Sequence, residues 1–228
     1  MERTVRLRVR RGSGDQTYAV RLPEGASVLD ALEAAGRQDP TLVFRHSCHH
    51  ASCGSCGLLI NDRERLACAT PLDEAADERE PVRLAPLRNF PLIADLAVDP
   101  SAFLEKMEAI DRPLVCADES GTDLAPLVAG APQAFNRFEA CIECGLCISA
   151  CPVVPISRAY LGPAVLAAAE RLAAEPRGRD REALLALAGG PDGVWRCRDV
   201  TLCTEVCPAG VNPAFAIAAL RRAIILHK

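Results

Sequence analysis

Apolar and polar positions alternate from Thr4 to Arg10 with the two-residue period of a strand, and again from Thr17 to Leu22. Gly12-Ser13-Gly14-Asp15 between them predicts a turn. Ser27 is placed to cap a short amphipathic helix, Val28 to Ala35, which Gly36 is expected to end. Leu58-Leu59-Ile60, Asn61-Asp62 and Leu66-Ala67-Cys68 then read as a hairpin, and Val82 to Leu84 as a closing strand. The acidic stretch Asp73 to Glu80 is expected as a solvated loop. After a proline-rich connection, Pro86 to Pro113, with Ser101 capping a helix through Ile110, the period changes to that of helices. Pro163 to Ala174, Arg181 to Ala188 and Pro213 to Leu226 are alanine-rich, and Pro163 and Pro213 suit first helical turns. Two domains follow, residues 1–100 and 101–228, the first mixed α/β and the second all-α.

Half of the 228 residues are hydrophobic but only 4% are aromatic, so the core is built from alanine, leucine and valine. A net charge of -4 offers nothing to nucleic acid. No stretch approaches the roughly 20 apolar residues of a membrane span, and Met1 to Arg11 lacks the apolar run of a signal peptide.

Cysteine changes the picture most. All but Cys116 of the twelve cysteines fall into three sets. Cys48, Cys53, Cys56 and Cys68 read C-x4-C-x2-C-x11-C, with Gly54 and Gly57 letting backbone approach. Cys141, Cys144, Cys147 and Cys151 read C-x2-C-x2-C-x3-C before Pro152. Cys197, Val200, Cys203 and Cys207 repeat that run before Pro208, with valine at its second position. These are ferredoxin spacings, in one cytoplasmic chain, and not a scattered disulfide scaffold. Zinc is the competing metal, but it has no use for a recurring Cys-Pro, and three thiolates with a valine would leave it short. Cys48-x-His50 matches half of a two-histidine Rieske pattern whose other half is missing, so His46, His49 and His50 are read as surface or packing residues beside a 2Fe–2S site.

The first half has the order of a β-grasp, plant-type 2Fe–2S ferredoxin, and the second half that of a two-cluster bacterial ferredoxin with a helical insert of about 45 residues. The fourth cysteine of a bacterial run serves the other cluster. Cys141, Cys144, Cys147 and Cys207 are therefore expected to hold a 4Fe–4S cluster. Cys151, Cys197 and Cys203 are left with Val200 as an apolar lid, which describes a 3Fe–4S cluster. Cys116 is expected to be buried without a redox role.

This series resembles the iron–sulfur subunit of the succinate dehydrogenase and fumarate reductase family, respiratory Complex II. The residues that carry the likeness are Cys53-Gly54-Ser55-Cys56-Gly57, Phe90-Pro91-Leu92-Ile93-Ala94-Asp95, Cys144-Gly145-Leu146-Cys147, Gly162-Pro163-Ala164 and Cys203-Thr204-Glu205-Val206-Cys207-Pro208. The resemblance implies an electron relay from the FAD of a partner flavoprotein, which handles succinate and fumarate, to quinone at a membrane-anchor subunit with or without haem. The chain itself would bind no dicarboxylate, and would sit peripherally on the cytoplasmic face of the membrane. The resemblance also places Pro152, Arg198, Val200 and Arg221 near quinone, with contact to lipid head groups or the anchor as the alternative for both arginines. Arg198 and Arg221 stand where ubiquinone-reducing members carry groups that titrate. Val153-Val154-Pro155-Ile156 lacks the tryptophan usual in those members, and this absence together with Gly193-Val194-Trp195 favours menaquinone. A thiol-linked fumarate reductase subunit and a soluble multi-cluster carrier are the competing functions.

Overall fold

The computed structural model describes residues 2–12, 14–77, 80–110, 140–175 and 181–226, so the expectation for Cys116 lies outside the described residues. The chain forms two compact units that do not follow a single cut. One comprises Met1–Ala102 with Ile142–Ala150, the other Phe103–Cys141 with Cys151–Lys228.

In the first unit, β1 (Glu2–Arg11) and β2 (Gly14–Pro23) form a long antiparallel hairpin. Helix α1 (Val28–Gln38) follows, then the short hairpin β3 (Gly57–Ile60) and β4 (Arg63–Leu66), and β5 (Val82–Ala85). The sheet order is β2-β1-β5-β3-β4, with β1 and β5 parallel, the mixed sheet of a β-grasp. Alternation puts Val5, Leu7 and Val9 of β1 and Val20 of β2 inside, where α1 contributes Val28, Leu29, Ala31, Leu32 and Ala35. Each large side chain so buried contributes about 1.5–3 kcal/mol.

Local signals explain most boundaries, and packing explains the exceptions. Ser27 and Asp30 form a reciprocal capping box at the start of α1. At the other end α1 runs through Gly36, against expectation, because Asp39 caps it by donating its N–H to Ala35 O. Asn61 and Asp62 both take left-handed backbone, the requirement of a two-residue hairpin turn. The second hairpin strand is Arg63–Leu66, two to three residues earlier than expected, and Ala67–Ala69 is a 3-10 turn. Within the acidic stretch, Leu72–Ala75 makes a helical turn, α2. A small ladder of β6 (Leu92–Ala94) and β7 (Ala97–Val98) precedes α3 (Ser101–Ile110). The cap of α3 is Asp99, whose carboxylate accepts from Ser101 N–H and Oγ, and Ser101 itself is helical.

Helix α4 (Leu146–Ala150) is fastened to the first unit by buried polar bonds. Ser149 Oγ donates to the buried Glu64 Oε1 at 2.9 Å and accepts from Arg88 N–H. Asn89 Nδ2 donates to Ile148 O and Ser149 O.

In the second unit, α5 (Pro163–Ala173), α6 (Arg181–Gly189) and α8 (Pro213–Leu226) pack on one another, with the short α7 (Leu202–Glu205) beside α8. Ala164, Ala167, Ala168 and Ala169 are all buried, small enough for close helix approach. Gly193 has no alternative: a Cβ there would lie 1.8 Å from Ala188 O.

Candidate cluster sites

The first cysteine loop joins α1 to β3, and Cys68 returns from the turn after β4. Left-handed backbone at His49, Ala51 and Gly54 folds it so that amide hydrogens face sulfur. The N–H groups of His50, Ser52 and Cys53 donate to Cys48 Sγ at 3.3–3.5 Å, and Ala51 N–H donates to Cys68 Sγ at 3.3 Å. Cys56 Sγ and Cys68 Sγ are 3.4 Å apart. The amides, led by that of His50, pull the Cys48 thiol down to about 6, whereas burial pushes Cys56 up to about 11. Four thiols on one loop system with inward amides could hold a two-iron cluster, since such amides stabilise both thiolate and sulfide.

Gly54 brings this loop against the second run. Its φ is +70°, and a Cβ would lie 2.7 Å from Cys144 Cβ and 3.0 Å from Ile142 O. Gly57 similarly lies under Leu146.

The second and third runs share one backbone register. Glu143 and Gly145 are left-handed on either side of Cys144, and Asp199 and Thr201 are left-handed on either side of Val200. Val200 thus occupies the backbone equivalent of a cysteine position and carries no ligand atom. Around it, Cys151, Cys197 and Cys203 line one open cavity together with Tyr160 and Ile217. Burial pushes the Cys203 thiol up to about 11, and charge on Cys197 and Cys151 adds to the shift. Crowded, buried thiols of this kind are stabilised as thiolates by a cation in their midst. The Tyr160 hydroxyl is buried beside the Cys197 thiol with no nitrogen or oxygen partner, so it is a donor aimed at sulfur in this cavity. Burial first, then the neighbouring thiolates, raise its pKa and keep it protonated. The donor set therefore fits an iron–sulfur cluster.

Arg221, from α8, grips the same loop. It donates to both oxygens of Asp199 at 2.7–2.8 Å, to Val194 O, and to Cys197 O at 2.8 Å.

Residues 6–105 match the family described as 2Fe–2S iron–sulfur cluster binding domain, and residues 137–211 the 4Fe–4S dicluster domain. The fumarate reductase iron–sulfur subunit of Mycobacterium tuberculosis is 40% identical, over 93% of this chain and 86% of its own length. That of Haemophilus influenzae is 37% identical, over 88% and 82%. The chain belongs to the family of fumarate reductase and succinate dehydrogenase iron–sulfur subunits. A rice mitochondrial succinate dehydrogenase iron–sulfur subunit is 34% identical, over 90% of this chain and 68% of its own. The fold agrees: a chain of the Mycobacterium smegmatis Sdh1 complex superposes with a TM-score of 0.84 at 28% identity, over 100% of this chain and 98% of that one.

Within this iron–sulfur subunit, Pro152, Arg198 and Val200 all line the cavity of Cys151, Cys197 and Cys203, and all three are exposed. Arg221 is 21% exposed and directs its guanidinium to the chain's own carbonyls and to Asp199. Cys141 and Cys207 fall in the second unit, Cys144 and Cys147 in the first. Sequence reasoning passed over Tyr160 and Asp199. Asp199 sits two residues after Cys197, the position Glu143 holds after Cys141, and that parallel was available as a signal.

Proposed function

We propose that the chain relays single electrons between the FAD of a partner flavoprotein, where succinate and fumarate interconvert, and a quinone at a membrane anchor. Cys48, Cys53, Cys56 and Cys68 hold the 2Fe–2S cluster, Cys141, Cys144, Cys147 and Cys207 the 4Fe–4S cluster, and Cys151, Cys197 and Cys203 the 3Fe–4S cluster. When bound, such clusters supply one-electron carriers between two-electron flavin and quinone chemistry. The observation that carries the reading is the cavity of three thiols with Val200 at the backbone position of a fourth ligand. Gly54 adds to it by letting the first loop touch the Cys144 backbone with no side chain between.

The residues do the holding. Inward amides fix Cys48 and Cys68, while Arg221 fixes the carbonyl of Cys197 and, through Asp199, the turn before Val200. Arg221 is thus a positioning residue, and Arg198, exposed at the cavity, is the cation left to face quinone or anchor. Val200 and Leu202, exposed at 48% and 40%, give the cavity an apolar rim suited to an apolar partner. Among the described residues no helix is long and apolar enough to cross a membrane. On this reading the chain attaches through the anchor subunit, on the cytoplasmic face. Menaquinone is the favoured quinone, since no tryptophan follows Cys151-Pro152 and Gly193-Val194-Trp195 precedes Cys197.

Electron paramagnetic resonance of the purified complex tests this. The oxidised protein should show one 3Fe–4S resonance per chain, and reduction should reveal 2Fe–2S and 4Fe–4S signals. Absence of the first resonance in fully oxidised protein overturns the assignment.

A further inference from the structure

Beside the first cysteine loop, three side chains form a second arrangement that an iron–sulfur relay does not use. Glu33 projects from α1. Two residues before Cys48, His46 stacks on Phe44, ring centroids 5.3 Å apart, and Phe44 itself covers Gly36 one turn beyond Glu33. His49 has left-handed backbone, φ 62°, an unusual conformation for a residue other than glycine. The three donor atoms make a nearly equilateral triangle. His46 Nδ1 to Glu33 Oε1 is 3.5 Å, His49 Nε2 to Glu33 Oε1 is 3.3 Å, and His46 Nδ1 to His49 Nε2 is 3.2 Å.

Hydrogen bonds do not account for this triangle. Each ring nitrogen carries one hydrogen at most, and that hydrogen points along one edge. If both nitrogens donate to Glu33, two N–H groups face each other across the third edge. If one donates to the other, the acceptor's lone pair is used and its edge to the carboxylate is unbridged. One edge is always left without a hydrogen bond. A cation at the centre satisfies all three. Ligands about 2.0–2.1 Å from a tetrahedral zinc lie roughly 3.3 Å from one another, so the triangle has the dimensions of one face of such a tetrahedron.

We propose that Glu33, His46 and His49 bind a divalent transition metal of zinc type, with solvent at the fourth position. Two imidazoles and a carboxylate suit zinc and exclude calcium or magnesium as the preferred ion. The side chains are 25%, 38% and 44% exposed, so the fourth position is open to water or to a partner's ligand. The metal ties α1 to the loop that carries Cys48. Its positive charge raises the reduction potential of the centre on that loop, because charge near a cluster favours the reduced form.

The test uses the full complex, freed of loosely bound metal, and zinc ion alone as the probe. Titration should show one saturable site per chain, and zinc-edge X-ray absorption should show nitrogen and oxygen ligands near 2.0–2.1 Å. Glu33→Gln, His46→Ala and His49→Ala should each weaken zinc by more than the roughly 10- to 100-fold that loss of an outer partner costs a metal site. His50→Ala, outside the triangle, should bind as wild type. An unchanged 2Fe–2S resonance in each variant shows that the loop is intact. The midpoint potential of that centre should rise with zinc in wild type and stay put in His46→Ala. The potential measurement rests on the 2Fe–2S reading proposed above; if that reading fails, the centre has no such resonance, while zinc still binds with nitrogen and oxygen ligands. No saturable zinc, sulfur in the zinc shell, or equal affinity in the variants overturns the site, and an unmoved potential with zinc bound overturns its effect on the cluster.

Discussion

The first cysteine loop and the Cys151–Cys197–Cys203 cavity hold thiols by the same two means, amide donors and burial, in different measure. In the first, left-handed residues turn backbone N–H groups onto Cys48 and Cys68, and the Cys48 thiol is pulled down to about 6. In the second, Cys151 and Cys203 are buried among apolar side chains, and Cys203 is pushed up to about 11. Amide donors at Cys48 and Cys68 stabilise thiolate before iron arrives, as Asp199 N–H does at Cys197; where burial prevails, at Cys56 and Cys203, thiolate depends on iron. The contrast also separates what positions each loop. The first is held by its own backbone, whereas the second depends on a side chain from α8, Arg221.

The largest change expected is at Val200. Val200→Cys restores a four-thiolate set at a position whose backbone already matches that of Cys144. A fourth iron should enter, and the 3Fe–4S resonance of oxidised protein should vanish while the reduced 2Fe–2S signal is kept. Persistence of the resonance with a full complement of cysteine would show that Val200 does not face the cluster. The converted centre should be harder to reduce, and quinone-dependent turnover should slow.

Gly54→Ala comes next, and it strikes the first loop where that loop meets the second cysteine run. The change places a Cβ against Cys144 in a left-handed conformation, so backbone strain and a clash combine to cost on the order of 1–3 kcal/mol. Chemical denaturation should register that loss, with the 2Fe–2S centre the first to be released. If Gly54→Ala were neutral, the close approach of the loop to Cys144 would be wrong.

Arg221→Ala should loosen the third run by about 1–3 kcal/mol, since two backbone carbonyls lose a charged donor. Arg221→Lys should recover part of this, because one ammonium cannot serve Asp199 and two carbonyls in a fork. The readout is the yield and linewidth of the 3Fe–4S resonance. A direct quinone role predicts something different: a normal resonance with loss of quinone turnover only.

The 2Fe–2S and 4Fe–4S dicluster domains were legible because cluster chemistry writes its constraints as spacing, and the β-grasp strands because one buried face imposes a period of two. What stayed hidden depends on contacts between distant residues. Gly36 looked like a helix stop, yet Asp39 caps the helix three residues beyond it. The attachment of Ile142–Ala150 to the first unit is decided by Ser149 meeting Glu64 and by Asn89 reaching two carbonyls, pairs that no local pattern announces. Glu33 reads as one more surface acid of an amphipathic helix until the fold places it against His46 and His49. Tyr160 reads as core, and only its hydroxyl, without a nitrogen or oxygen partner, marks it as part of the cavity.

The smallest effect belongs to that hydroxyl, and it bears directly on the comparison. The first loop surrounds sulfur with amide donors; in the cavity Tyr160 is the buried side-chain donor left without a nitrogen or oxygen partner. Tyr160→Phe removes one oxygen and leaves the ring that packs beside Cys151 and Cys203. Stability should change by no more than about 1 kcal/mol, because no hydrogen bond to nitrogen or oxygen is broken. The midpoint potential of the 3Fe–4S centre should fall, since a donor to cluster or thiolate sulfur favours the reduced state. The 2Fe–2S potential should be unmoved. A 3Fe–4S potential that stays in place would mean that the hydroxyl does not reach sulfur.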